Sequence, residues 1–278
     1  MRSSQLAMPF GIALSTLACL VLLFSIAAPL GAQNSEQLEV GPPPLHRVEP
    51  PAAGATAKEL EIQGDDLESN KNYLDAIDYY QAALKKDPAS AVLVNKVGMS
   101  QLLLRRYKDA RKSFERAIRL DKKYANAYAN LGVVYYEDGS CGKAVKYYDL
   151  AIGLDGDEAV FYNNRAAALF VKKDFEKAMA DYNKALQLDP DIFERAVRGG
   201  GVQAKLPSPE DIAHYDYVLA KIYARNGAAE RSLHYLKKAM EEGYKDIKDV
   251  YKDNEFSTVR KDPRFAELMA SKPVVLQN

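Results

Sequence analysis

The chain has 278 residues, 47% of them hydrophobic and 27% charged, and its 38 Lys and Arg balance 38 Asp and Glu. That balance leaves no net field to draw the whole molecule onto nucleic acid or anionic lipid. Two cysteines and three histidines are too few for a disulfide framework or a zinc cluster of standard spacing.

Arg2 is the only charge before Glu36, and an almost continuous apolar run extends from Phe10 to Leu30. The run closes in Ala27-Ala28-Pro29-Leu30-Gly31-Ala32, where small residues and a proline break a helix. A charged start, an apolar middle and a small-residue end describe a secretory signal peptide over residues 1–32, cleaved after Ala32. The expected location is therefore periplasmic or secreted. The alternative is an uncleaved anchor over residues 10–30, because about 20 apolar residues span a bilayer. Membrane contact is expected only in that case. Cleavage removes Cys19 and leaves Cys141 as the one thiol, so no disulfide can form within the mature chain. Residues 33–56 hold Pro42, Pro43, Pro44, Pro50 and Pro51 with few large apolar groups. They read as a disordered linker that serves as a tether.

Beyond the linker the sequence repeats every 34 residues. Gly64, Gly98, Gly132 and Ala166 form one column, and Ala76, Ala110, Ala144 and Ala178 a second. Tyr80, Phe114, Tyr148 and Tyr182 form a third, and Ala83, Ala117, Ala151 and Ala185 a fourth. Tyr73, Tyr107, Cys141 and Phe175 keep the same interval. Small residues at repeat positions 8, 20 and 27 let two antiparallel helices approach closely. The aromatic at position 24 is expected to fill the space between one hairpin and the next. Pro88 and Pro190 stop the second helix of their repeats. Gly156 is expected to do so through a left-handed conformation. Lys122 has no such device, so the junction there is expected to be the most nearly continuous.

This pattern resembles the tetratricopeptide repeat (TPR) family, and the tail resembles endings of exported bacterial members. The resemblance covers 57–192 as four repeats, 57–90, 91–124, 125–158 and 159–192. The Trp frequent at position 4 in the family is here Leu60, Val94, Tyr128 and Tyr162. It implies an all-α, right-handed solenoid of helix hairpins. Residues 193–212, with Gly199-Gly200-Gly201 and Pro207-Ser208-Pro209, read as a flexible insertion. A degenerate fifth repeat then occupies 213–246, with Ser232 where alanine is expected. Residues 247–278 read as a C-terminal cap, in which Phe265, Leu268 and Met269 cover the last hairpin and Val250, Tyr251, Phe256 and Val259 lie beneath.

The resemblance also implies function. Members bind proteins through the inner wall of the superhelix, to which positions 2, 5, 6, 9, 12 and 13 generally contribute. The candidate groove residues are then Glu61, Asp65, Asn95, Met99, Leu102, Asn126, Asn130, Val133, Tyr136, Asn163, Asn164 and Phe170. Lys58, Glu68, Lys96 and Leu103 accompany them, with His214, Lys221 and Arg225 from the fifth repeat. Asn130 and Asn164 share position 6, where an amide offers a donor and an acceptor to a peptide backbone. Glu61 and Asp65 stand where the chaperone-tail branch of the family places its carboxylate clamp, and acidic groups repel that ligand. The expected ligand is an apolar or amphipathic peptide whose basic end lies near the first repeat.

Signals for chemistry are weak. The three glycines before Lys205 lack the final Gly-Lys-Ser/Thr of a phosphate loop. His214 and His234 have no cysteine nearby, and the lysine pairs at helix ends sit among equal numbers of acids. The reading is a non-enzymatic scaffold or adaptor, with no cofactor, metal or nucleic acid. The apolar middle of the wall also allows self-association. The competing reading is an accessory subunit of an envelope enzyme or transport complex, held by the uncleaved anchor.

Overall fold

The computed structural model describes residues 49–197 and 208–271. The leader at 1–32, the linker up to residue 48 and the three glycines at 199–201 lie outside the described residues. The first eight helices are α1 (Ala57–Ser69), α2 (Tyr73–Lys86), α3 (Ala91–Leu103), α4 (Tyr107–Leu120), α5 (Ala125–Glu137), α6 (Cys141–Leu154), α7 (Ala159–Val171) and α8 (Phe175–Leu188). They form four antiparallel pairs stacked side by side, with first helices beside first helices. Residues 49–55 lie along α2, where Tyr79 donates its hydroxyl to the Glu49 carbonyl at 2.9 Å and Lys86 donates to that of Ala53 at 3.1 Å. This end of the expected linker is therefore bound to the first pair.

Three local devices set the period. The first is the turn inside each pair. Lys71, Arg105, Gly139 and Lys173, all at repeat position 15, adopt left-handed φ of 64°, 58°, 73° and 62°. The next amide then reaches back into the last turn, as Asn72 N to Leu67 O and Arg106 N to Gln101 O, both at 2.8 Å. That capping satisfies carbonyls at the helix end, and in three repeats it does so without glycine. The second device is an aspartate at position 31. The Oδ1 atoms of Asp121, Asp155 and Asp189 accept the amides of Lys123, Asp157 and Asp191 at 2.8, 3.3 and 3.1 Å. This turn ends the second helix whether or not proline follows. The junction at Lys122 is consequently as sharp as the others, and Gly156 is not among the left-handed residues.

The third device is a ring laid on a backbone. A Cβ placed on Gly64, Gly98 or Gly132 would come within 2.5–2.6 Å of Tyr80, Phe114 or Tyr148 respectively. The position-24 ring therefore packs on the first helix of its own pair, and the expected role between hairpins gives way to this one. Each of the three rings is fully buried.

The stack changes after α8. A short helix, α9 (Ile192–Val197), starts where the next first helix would, and Phe193 meets Tyr182 at 5.9 Å between ring centroids. The fifth pair is α10 (Pro209–Arg225) and α11 (Ala229–Glu241). Residues 193–197 and 209–212, expected within a flexible insertion, are thus helical. Ser208 caps α10 by accepting the Asp211 amide at 3.1 Å, and Pro209 opens its first turn.

α10 also runs in the opposite sense to the earlier first helices. In the regular stack the start of a second helix meets the end of the next first helix, as in the 3.2 Å bond from Tyr107 to Glu137. At the fifth pair, start meets start, with Phe175 and His214 rings 4.4 Å apart. Asn226, at the end of α10, donates to Asn183 in the latter half of α8 at 2.8 Å. The reason is that α9 already occupies the place against Tyr182. Tyr223 of α10 then meets Phe193 edge-on, at 6.1 Å.

Within this pair Ser232 replaces the small apolar residue and donates its hydroxyl to the Ala220 carbonyl at 2.8 Å. Asp216 is buried between α10 and α11 with one oxygen 3.2 Å from Lys238 Nζ and the other unpartnered. Burial pushes its carboxyl up to about 6, against the pull of Lys238. Three 3-10 turns (Ile247–Tyr251, Asn254–Ser257, Val259–Lys261) and α12 (Pro263–Ala270) close the fold. Val250, Phe256, Val259 and Phe265 are buried there, but Tyr251, expected beneath them, is 55% exposed.

Two variants check these contacts. Gly132→Ala should lower stability by about 1–2 kcal/mol in denaturant titration, because overpacking against Tyr148 exceeds the gain in helix propensity. Asp216→Asn should stabilise at pH 8 by roughly 2–3 kcal/mol. Its folded value lies above the ordinary carboxylate range, so the cost of ionising it is full above about pH 6. That cost fades as pH falls towards 4, and the variant's advantage should fade with it.

Candidate functional site

The first helices α1, α3, α5 and α7 line the inner wall, and polar cross-links tie each to its neighbours. At the α1 end Lys96 of α3 reaches Glu61 at 2.7 Å and both oxygens of Asp65 at 2.7 Å. Lys58 reaches Glu61 from the solvent side, at 2.9 Å. The Tyr80 hydroxyl passes between the helices of the first pair and donates to Asp65 at 2.9 Å and to Glu68 at 3.3 Å. Ser100 donates to the other oxygen of Glu68 at 3.2 Å. The Lys96 bond holds the Glu61 carboxyl below its ordinary value, whereas burial pushes Glu68 up despite its two donors. Three carboxylates thus share two ammonium groups, one of them largely in water, and this end of the wall remains acidic.

Further along, Asn130 of α5 donates its amide to Asn95 Oδ1 of α3 at 3.0 Å. The two candidate asparagines are brought together, and they spend that bond on each other. Tyr124, at the entry to α5, lies near this cluster, and burial pushes its hydroxyl above the ordinary value. Position 34 was not among those assigned to the wall, although Tyr124 was legible there as an aromatic between two helices. Arg165 of α7 repeats the role of Lys96, bonding Asp149 of α6 and Asp181 of α8 at 2.7 Å each.

The wall is only partly open. Glu61, Asp65, Met99 and Asn130 are half-buried, and Asn126 is exposed. Leu103 is 39% exposed. By contrast Asn95, Leu102, Val133, Tyr136, Asn163, Asn164 and Phe170 are buried. These seven candidates are corrected to internal positions. Position 12 serves packing in the second, third and fourth pairs (Leu102, Tyr136, Phe170). Phe170 in particular lies against Phe175 and His214, at 5.1 and 5.0 Å. His214 itself stacks on Tyr244 at 5.4 Å, and Lys221 is held by Asp253 at 2.9 Å. Neither continues the inner wall, because α10 is reversed. The accessible surface runs over the first three pairs. Among the described residues no cluster of three His, Cys, Asp or Glu is placed to hold a metal ion. No described helix is long and apolar enough to cross a membrane.

A stack of antiparallel helix pairs at a 34-residue period, with an open inner wall and extra C-terminal helices, defines an α-solenoid of the protein-interaction class. Tetratricopeptide-repeat descriptions match residues 125–158 and 159–192, and a TPR-repeat description matches 105–139. The chain thus carries tetratricopeptide repeats over residues 105–192. Human serine/threonine-protein phosphatase 5 is 37% identical over 97 residues, which is 34% of this chain and 19% of the phosphatase. The yeast (Saccharomyces cerevisiae) small glutamine-rich tetratricopeptide repeat-containing protein 2 is 33% identical over 92 residues, 33% of this chain and 27% of that protein. The chain thus spans about a fifth of the one and a quarter of the other. Among solved structures, the thermophilic TPR protein TTC0263 of Thermus thermophilus is similar at a TM-score of 0.48 with 19% identity. The match covers 77% of this chain and 100% of that one.

Lys96→Met should cost about 1 kcal/mol at pH 7 in urea titration, because it leaves Asp65 and Glu68 without an ammonium and Glu61 with Lys58 alone. Glu61 is held below its ordinary value of 4.5. Its contribution is therefore present above that value and is lost as pH falls through the folded one. The difference between variant and parent should narrow below pH 4.5.

Proposed function

We propose that this chain is an exported, non-enzymatic adaptor that holds an extended segment of a partner protein along the inner wall of its first three pairs. The observation that carries the reading is the open stretch from Asp65 through Met99 and Leu103 to Asn126, a mixed acidic, apolar and amide surface. An amide at Asn126 matches a peptide unit whatever its sequence, but such a bond contributes only about 0.5–1.5 kcal/mol. Most of the affinity comes from apolar side chains covering Met99 and Leu103, at about 25 cal/mol per Å² removed from water. The surplus of carboxylate at Glu61, Asp65 and Glu68 orients the segment with a basic residue towards α1.

Export is supported by the apolar run from Phe10 to Leu30 and the small residues that close it. The same run supports a second reading, in which the solenoid is a subunit of a membrane complex held by an uncleaved anchor. Fractionation separates the two: a released protein shortened by the leader fits export, and a full-length protein in the membrane pellet fits the anchor.

The binding reading is tested by capturing partners from envelope extract with the full chain and identifying the bound region by cross-linking. Cross-links should cluster on α1, α3 and α5, and Met99→Gln with Leu103→Gln should reduce capture about tenfold while circular dichroism shows the helices intact. Capture unaffected by that pair would remove the inner wall from the mechanism. Glu61→Lys with Asp65→Lys should weaken the same partner, and indifference to the reversal would refute the orientation.

A further inference from the structure

The outer face of the stack carries a surface that the inner-wall reading does not use. Residues 105–123 contain nine Lys and Arg against three Asp and Glu, within a chain of zero net charge. Lys108, Lys112 and Arg119 lie on one side of α4, spaced four and seven residues apart, and all are exposed. Among the described residues none of the three pairs with a carboxylate. The cations near them are only lightly engaged: Arg111 is 4.0 Å from Glu115, and Arg116 donates to the Pro88 carbonyl at 3.2 Å.

Beside this basic helix the outer side of α6 exposes two leucines and two glycines among Lys143, Lys146 and Asp149. Leu150 and Leu154, one turn apart, are 50% and 43% exposed, and Leu120 at the end of α4 is 41% exposed. Gly142 and Gly153 lie three turns apart on the same side of α6, and a Cβ on either would meet nothing within 4 Å. Among the described residues no contact requires glycine at these places, where alanine favours a helix by up to about 1 kcal/mol. Their effect is to leave a helix face bare of side chains, so that another backbone can come close. Lys146 stands between them, and the one acid of that face, Asp149, is engaged by Arg165 at 2.7 Å. α4 and α6 both pack against α5, where Tyr107 of α4 bonds Glu137 and Tyr147 of α6 stacks on Tyr135.

We propose that this outer α4–α6 face is a second docking surface, for an acidic amphipathic helix of a partner protein. The partner's apolar stripe lies over Leu150, Leu154 and Gly153, and its carboxylates meet Lys108, Lys112, Arg119 and Lys146. Helical spacing on both sides lets ridges enter grooves, and the glycines permit a short interaxial distance. Nucleic acid fits less well, because the face presents no free aromatic for base stacking: Tyr107 is bonded to Glu137, and Tyr147 is stacked on Tyr135 at 5.2 Å. Exposed leucines also contribute nothing to a phosphate contact.

The test uses the full chain and a synthetic amphipathic helix of Leu and Glu as probe, with binding followed by fluorescence anisotropy. The expected result is binding that weakens with added salt, together with none for the same peptide carrying Lys in place of Glu. Lys112→Glu with Arg119→Glu, and separately Leu150→Ser with Leu154→Ser, should each weaken it about tenfold without lowering the melting temperature. Gly142→Ala with Gly153→Ala should raise the melting temperature yet weaken binding, which a merely structural role for the glycines would not do. The proposal is overturned if the Glu peptide does not bind or the Lys peptide binds as well. It is equally overturned if leucine-free polyglutamate, duplex DNA or phosphatidylglycerol vesicles bind as tightly and ignore the Leu150 and Leu154 changes. Those outcomes would mark a bare polyanion or lipid surface.

Discussion

The contact of an aromatic ring with a bare helix backbone governs the geometry of the first three pairs. With no Cβ at Gly64, Gly98 and Gly132, the rings of Tyr80, Phe114 and Tyr148 lie directly on the opposing helix. That fixes the spacing within each pair, and a constant spacing lets successive pairs stack in one way. Alanine takes the glycine position in the fourth pair, as Ala166, and in the fifth, as Ala220. It is there that regular stacking gives way to α9 and the reversed α10. The Tyr182 ring in that region meets Phe193 and Tyr215 edge-on, at 5.9 and 5.2 Å.

Charge does a different job on the two sides of the stack. On the inner wall Lys96 is consumed internally, joining α3 to α1, while Arg165 ties α7 to the second helices α6 and α8. Each fixes the register of neighbouring pairs, and because each is half-buried its pairing is less screened than a surface ion pair. What remains for a ligand is the surplus of acid at the α1 end. On the outer side the cations of α4 stay in water, with few acids to neutralise them. A chain with no net charge therefore has a locally acidic inner end and a locally basic outer face.

The structure also limits the length of inner wall that can act. Position 12 is closed by packing in each of the second, third and fourth pairs, and the side chains of Asn163, Asn164 and Phe170 are buried in the fourth. The fifth pair contributes its aromatic residues to the core and to the cap, through His214, Tyr217 and Tyr244, and adds nothing to the wall. Recognition is thereby concentrated on the first three pairs.

The 34-residue columns were enough to determine the all-α stack of the first four pairs, because close approach demands small residues at fixed intervals and leaves them visible. The resemblance to TPR repeats, laid on the same columns, pointed to the charged and amide residues at Glu61, Asp65, Asn126 and Asn130. The column of aspartates at 87, 121, 155 and 189 was equally legible and explains the sharp junction at Lys122, a signal that proline and glycine alone do not carry. Sequence could not show that Asn130 turns to Asn95, that Lys96 closes on Glu61 and Asp65, or that half of the candidate wall is buried. Those depend on how far one pair is rotated over the next. Nor could it show the reversal of α10, since apolar spacing is the same read in either direction along a helix. Only the packing of α9 into the place beside Tyr182 decided which way the following pair would run.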